Sequence, residues 1–344
     1  MHKNNFDLLR FIFSFMVVLA HIGVLTQGRN TIPYLGHIDS HLPVCGFFIL
    51  SGFLIVRSYE RTKSLKDYYI KRARRILPVY ILIILVCAFS FAFISTWSAG
   101  DYFANSGFFK YLISNLTFLN FLQPCLPGVF DQNYMCAVNG SLWTLKVEVS
   151  LYLIIPLLVY LIRKIKKPIV FLALVYIIVL IHNYLLQKYI MPKNFNLYFT
   201  LSHQLPALMT YFISGMFLHF YFDWIMKHKT TLFLIALPIF IVEYSMGYQY
   251  LLPITLSLIL FYLGYSTKLK CFNNFGRFGD FSYGIYIFHF PLIQLFIHFG
   301  FFDFDQNKWL SFFTLLGLVL GLGFFSWNFI EKKFILSKAL PNKK

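Results

Sequence analysis

Arg10 and His21 lie eleven positions apart in an otherwise apolar stretch, Phe6 to Gln27. On an α-helix that interval is about 16 Å of rise and about three turns, which puts both side chains within about 20° of one face. An apolar run of this length is predicted to span a membrane. Ionisable residues inside a span are costly, and they face a partner or a water-filled path. The helix therefore presents a guanidinium near one end and an imidazole near the other, in line. An imidazole can take and return a proton near neutral pH; a guanidinium holds an anion in a fork. The simpler alternatives are a hydrogen-bonded core histidine and an arginine that snorkels to the surface. For His21 the in-line placement favours chemistry.

Other residues could complete such a site. Glu148, in Asn139-Gly-Ser-Leu-Trp-Thr-Leu-Lys-Val-Glu-Val, is a carboxylate in an apolar helix. Lys146 is two positions away and does not face it. His21 is the better partner, because a carboxylate holding an imidazole N–H fixes the tautomer and raises basicity. A purely structural interhelical pair is the alternative. The run Lys71-Arg-Ala-Arg-Arg75 reads as a topology signal or an anionic-lipid contact. It is also the forked, bidentate chemistry that a phosphate-rich cofactor would need. Composition alone favours the former. In Phe47-Phe-Ile-Leu-Ser-Gly-Phe-Leu, the small residues Ser51 and Gly52 let helices approach. Asp280-Phe-Ser-Tyr-Gly-Ile-Tyr-Ile-Phe-His-Phe-Pro291 places Tyr283, Tyr286 and His289 on one helix face. His289 is a second functional candidate, or a satisfied structural group. Asn115-Leu-Thr and Asn139-Gly-Ser are formal glycosylation sequons.

The elements that must carry these residues follow from composition. The chain is 58% hydrophobic and 12% charged, whereas soluble domains are about a quarter charged. The fold class is therefore all-α, a polytopic transmembrane bundle forming a single domain over residues 1–344. The net charge of +17 does not point to nucleic acid, because the Lys and Arg residues sit in short loops between apolar runs. Ten spans are predicted near 7–27, 43–59, 77–98, 145–164, 168–187, 203–222, 230–245, 249–266, 282–302 and 309–330. Alternate loops and the tails hold twenty-three basic residues against five on the other side, which puts both termini in the cytoplasm. Arg10, Arg57 and the Lys71–Arg75 run then lie near the cytoplasmic side. His21, Trp143 and Glu148 lie nearer the exterior, and His289 lies near mid-depth. The first span lacks a small-residue cleavage site and is expected to be retained. The external 98–144 loop is expected to be a structured lid or a re-entrant element. None of the five cysteines has zinc spacing, and no metal is expected. Cys125 and Cys136 share the external loop, where a disulfide is an open possibility.

Together these residues resemble the acyltransferase-3 family of membrane acyltransferases. The resemblance covers most of the chain. It rests on Arg10 with His21, Phe47-Phe-Ile-Leu-Ser-Gly-Phe-Leu, Arg72-Ala-Arg-Arg-Ile-Leu-Pro-Val-Tyr80, Ser141-Leu-Trp-Thr-Leu-Lys-Val-Glu148 and Ser282-Tyr-Gly-Ile-Tyr-Ile-Phe-His289. Two stretches depart from the family pattern: Pro43-Val-Cys-Gly, and Trp327-Asn-Phe-Ile-Glu331 without a proline. No soluble hydrolase-like domain is expected after the tenth span. The resemblance implies an enzyme of the bacterial cytoplasmic (inner) membrane. It would transfer an acyl group, usually acetyl, from cytoplasmic acyl-CoA to a hydroxyl of a cell-envelope glycan such as O-antigen, capsule or peptidoglycan. It further implies that Arg10, Arg72, Arg75 and Ser51 bind acetyl-CoA, and that His21 is the base, oriented by Glu148. Trp143, Tyr283 and His289 would then meet the acceptor. Direct transfer is preferred over an acyl-enzyme on His21 or Ser141. The rival reading is a transporter or flippase with a proton-relay histidine. Its cue would be two similar halves with interrupted helices, and the sequence has no such halves.

Overall fold

The computed structural model describes residues 4–27, 35–165, 167–266, 275–302 and 308–336. Lys3, Arg29, Lys166, Lys268, Lys270, Lys338, Lys343 and Lys344, all counted in the charge split, lie outside these residues, as does Cys271. Every regular element among the described residues is helical, apart from an isolated bridge between Cys125 and Ala137. The helices are α1 (Phe6–Thr26), α2 (His41–Glu60), α3 (Leu65–Ser90), α4 (Ala99–Ala104), α5 (Ser106–Leu116), α6 (Trp143–Lys164) and α7 (Pro168–Leu185). They continue with α8 (Phe195–Ser202), α9 (Met209–Phe220), α10 (Phe222–Ser245), α11 (Leu252–Gly264), α12 (Ser282–His298), α13 (Lys308–Phe325) and α14 (Lys332–Leu336).

Among the described residues, 7 helical stretches are long and apolar enough to cross a membrane, and the chain is a multi-pass membrane protein. The other expected spans are helical but short. The 203–222 stretch is a 3-10 turn at Leu205–Leu208 leading into α9, α11 has 13 residues, and α12 has 17. A straight crossing needs about 20. Proline at the start of α11 fixes where that helix begins.

The chain divides into two compact units. One comprises 1–10, 41–69 and 147–277; the other comprises 11–40, 70–146 and 278–344. In the first, α2 and α9 meet backbone to backbone. A Cβ on Gly52 would land on the carbonyl of Phe212, and one on Gly215 would land on the carbonyl of Ile49. Glycine at both positions is what permits this approach. Phe53 sits at the centre of an aromatic cluster, 5.5 Å from Phe6 and 6.1 Å from Phe261 between ring centroids. By contrast, Leu234, Ile235 and Ile241 on α10 are exposed, as expected of side chains facing lipid.

In the second unit, the core is built from Val18, Ile22 and Leu25 of α1, Ile285 and Ile293 of α12, and Leu315 and Val319 of α13. The 98–144 segment is ordered into α4 and α5, each started by a side-chain cap. Ser98 accepts from the Asp101 N–H, and Asn105 accepts from the Gly107 N–H. Cys125 and Cys136 form a disulfide. Gln294 of α12, fully buried, donates to the carbonyls of Met135 and Ala137 at 2.7 Å each. Both sequon asparagines are buried and spent on structure: Asn115 donates to Tyr111 and Gln123, and Asn139 donates to Ile287.

Candidate active site

His21 sits in the C-terminal half of α1 and meets α12. Its Nδ1 lies 2.7 Å from Nε2 of His289, and the two rings are stacked with centroids 5.0 Å apart. A neutral imidazole carries one N–H, so this contact is one N–H···N hydrogen bond shared by two rings. His289 is completely buried, and among the described residues its Nδ1 has no hydrogen-bond partner. Phe290 lies edge-on to His21, with centroids 5.3 Å apart. The two rings thus share one hydrogen beside an apolar ring.

The helix carrying His289 is held by the 139–144 motif, and the reason lies in its proline. Pro291 has no N–H, so the carbonyl of Ile287 one turn earlier loses its helical partner. The Asn139 amide donates to that carbonyl at 2.9 Å. The Asn139 side-chain oxygen in turn accepts from the Ser141 hydroxyl at 2.7 Å. Thr144 and Tyr286 share a hydrogen bond of 2.7 Å between their hydroxyls, and the Tyr286 ring lies 5.8 Å from that of His289. Gly140 is required here, because a Cβ on it would meet the Phe290 ring at 2.6 Å. Asn139 is the residue that sequence reasoning underweighted. The readable signal was an in-helix proline, which obliges some donor to reach the freed carbonyl.

A second cluster surrounds Arg75. Its guanidinium bonds Asp280 at 2.5 Å and Glu331 at 3.0 Å. Glu331 is almost fully buried in a π-helical turn and also accepts from Ser326 at 2.8 Å. The Ser282 hydroxyl bonds Asp280. Tyr283, expected on the acceptor side, donates to the carbonyl of Ile76 at 2.9 Å, and its ring lies 5.8 Å from the Arg75 guanidinium. Any phosphate at Arg75 would compete with two carboxylates.

The remaining candidates are placed as follows. Arg10 makes a 3.5 Å contact with Asp7, half-exposed and of small energetic weight. Glu148 accepts from the Tyr152 hydroxyl one turn later on α6. The contact expected between Glu148 and His21 is therefore not the one that Nδ1 makes, since His289 occupies that atom. Ser51 is half-buried beside the tightly packed Gly52. Arg72, within the N-terminal half of α3, and Trp143, the first residue of α6, are half-buried.

Comparison with known proteins gives this geometry a context. The family described as an acyltransferase domain, acyltransferase-3, matches residues 3–327. The O-acetyl transferase of Shigella phage Sf6 is 28% identical over 347 residues, covering 97% of each chain. Nodulation protein 10 of Rhizobium leguminosarum bv. viciae is 28% identical over 48% of this chain and 47% of its own length. Peptidoglycan O-acetyltransferase OatA of Listeria monocytogenes is 35% identical over 36% of this chain and 20% of its own. No solved structure matches the chain.

Proposed function

The chain belongs to the acyltransferase-3 family, and on that premise we propose that it moves an acetyl group from cytoplasmic acetyl-CoA to a hydroxyl of a cell-envelope polysaccharide. The observation that carries the reading is the His21–His289 hydrogen bond in a chain similar over 97% of its length to an O-acetyl transferase. A peptidoglycan O-acetyltransferase among the relatives supports a glycan acceptor.

With the shared hydrogen on Nδ1 of His21, its Nε2 is the free base. Nε2 removes the proton of the acceptor hydroxyl as that oxygen attacks the thioester carbonyl. The C–O bond forms, the C–S bond breaks, and the proton passes from His21 to the departing thiolate. In the transition state the imidazolium donates from Nδ1 to His289 as a charge-assisted bond, stronger than the neutral one. A positioned base of this kind is worth about 10²–10⁴-fold in rate. Arg10 and Arg72, with Ser51, are the donor-side residues, and Trp143 is on the acceptor side.

The protein sits in a bacterial inner membrane with ten crossings and both termini cytoplasmic. The twenty-three-to-five basic split supports that orientation. So does the Cys125–Cys136 disulfide, since such bonds persist on the oxidising side. The test is to supply purified protein with labelled acetyl-CoA and to follow thiol release and label transfer with and without envelope glycan. Glycan-dependent release is expected; release with no label on any glycan fraction would overturn the reading.

A further inference from the structure

Arg57 and Glu60 lie in the last turn of α2 and Arg61 in the turn just past it, three and four positions on from Arg57. With His219 and Phe222 they line a cavity of about 280 Å³. Its only lining carboxylate is already engaged on both oxygens: Glu60 accepts from His219 at 2.7 Å and from Arg163 at 3.2 Å. The Arg57 guanidinium lies 5.8 Å from the centroid of the Phe222 ring, which fixes it by cation–π attraction. Each guanidinium carries five N–H donors and a permanent charge. Even with the Tyr265 hydroxyl beside Arg57, two arginines and one shared carboxylate leave the cavity with excess positive charge and donors to spare. The volume falls just under the range of about 300–1,000 Å³ usual for whole small-molecule ligands. It suits a phosphorylated head rather than an entire cofactor.

We propose that this cavity binds a phosphate ester, its dianion gripped by Arg57 and Arg61 and walled on one side by Phe222. Two sources share that chemistry. One is the phosphorylated head of the soluble acyl donor, an identification that rests on the acyl-CoA reading above. The other is the headgroup phosphate of an anionic lipid.

The test uses the full chain. Coenzyme A is titrated calorimetrically into detergent-purified wild type, Arg61→Ala, Arg57→Lys and Lys66→Ala. Arg61 is exposed, so its loss does not threaten folding, and Arg57→Lys keeps the charge at the less exposed position. Lys66→Ala controls for bulk charge from an exposed site. Arg61→Ala is expected to weaken binding by about tenfold or more, since charge-assisted hydrogen bonds are lost. Arg57→Lys should weaken it less, and Lys66→Ala within about twofold. In parallel, wild type and Arg61→Ala are placed in nanodiscs containing phosphatidic acid, and the retained lipid is quantified by mass spectrometry. Loss of lipid retention with coenzyme A binding unchanged keeps the site and assigns it to the membrane. Coenzyme A binding and lipid retention both unchanged in Arg61→Ala overturn the site. A wild type that binds no coenzyme A overturns the donor reading instead, and the lipid arm then decides the cavity alone.

Discussion

Arg75 and the Arg57–Arg61 pair put the same side chain to opposite uses. Arg75 meets two carboxylates of its own unit, Asp280 and Glu331, at hydrogen-bond distance. Arg57 and Arg61 face one carboxylate that His219 and Arg163 already share. Where the chain supplies every partner, an ionisable group is part of the scaffold. Where capacity is left over, it is available to a ligand. The histidine pair belongs to the second kind, since its bond uses Nδ1 of His21 and leaves Nε2 of that ring unspent.

This contrast can be broken or sharpened by substitution. The largest effect is expected at His21. His21→Ala should keep donor binding and lose about 10²–10⁴-fold in turnover, because the base acts in the transition state. Near-normal turnover by a folded His21→Ala, measured with labelled donor, would remove it as the base. Next is Arg75→Ala, which strands a buried carboxylate at Glu331 and should cost about 3 kcal/mol of stability. Thermal unfolding in detergent reads this directly. An unchanged midpoint together with a raised KM for the donor would move Arg75 among the phosphate binders and break the contrast. His289→Ala should lower kcat by about 10–100-fold through loss of one charge-assisted hydrogen bond, leaving the donor KM within about twofold. His289→Gln, whose amide oxygen can accept from His21, should recover part of that loss. A donor KM that moves as much as kcat would make His289 a binding residue rather than a positioning one. The smallest effect is at Asn139. Asn139→Ala leaves the Ile287 carbonyl without its donor and should destabilise by about 1–2 kcal/mol, measured again as an unfolding midpoint.

Much of the molecule was legible in the sequence, and the limits have a physical cause. Apolar runs gave the helices, and helical periodicity put Arg10 and His21 on one face. Periodicity describes a helix about its own axis and says nothing of which helices are neighbours. Hence Glu148 was the expected partner of His21, whereas Nδ1 meets His289. Arg75 likewise finds its carboxylates more than two hundred positions away. Within the 98–144 segment the capping pattern at Ser98 and Asp101 was visible in the sequence and would have located α4. The short helices α9 and α11 fall below a length criterion because local backbone sets where they begin, a 3-10 turn before α9 and a proline at the start of α11. The cavity at Arg57 escaped notice because its basic residues also satisfy the topology rule, and sequence cannot separate the two uses.

The bond between His21 and His289 joins residues 268 positions apart. At ribosomal rates of about 5–20 residues per second, that gap is roughly 13–54 s of synthesis. Throughout it, the first helix holds an imidazole in apolar surroundings whose mate has not been made. A nascent chain that has not reached residue 289 cannot carry the pair.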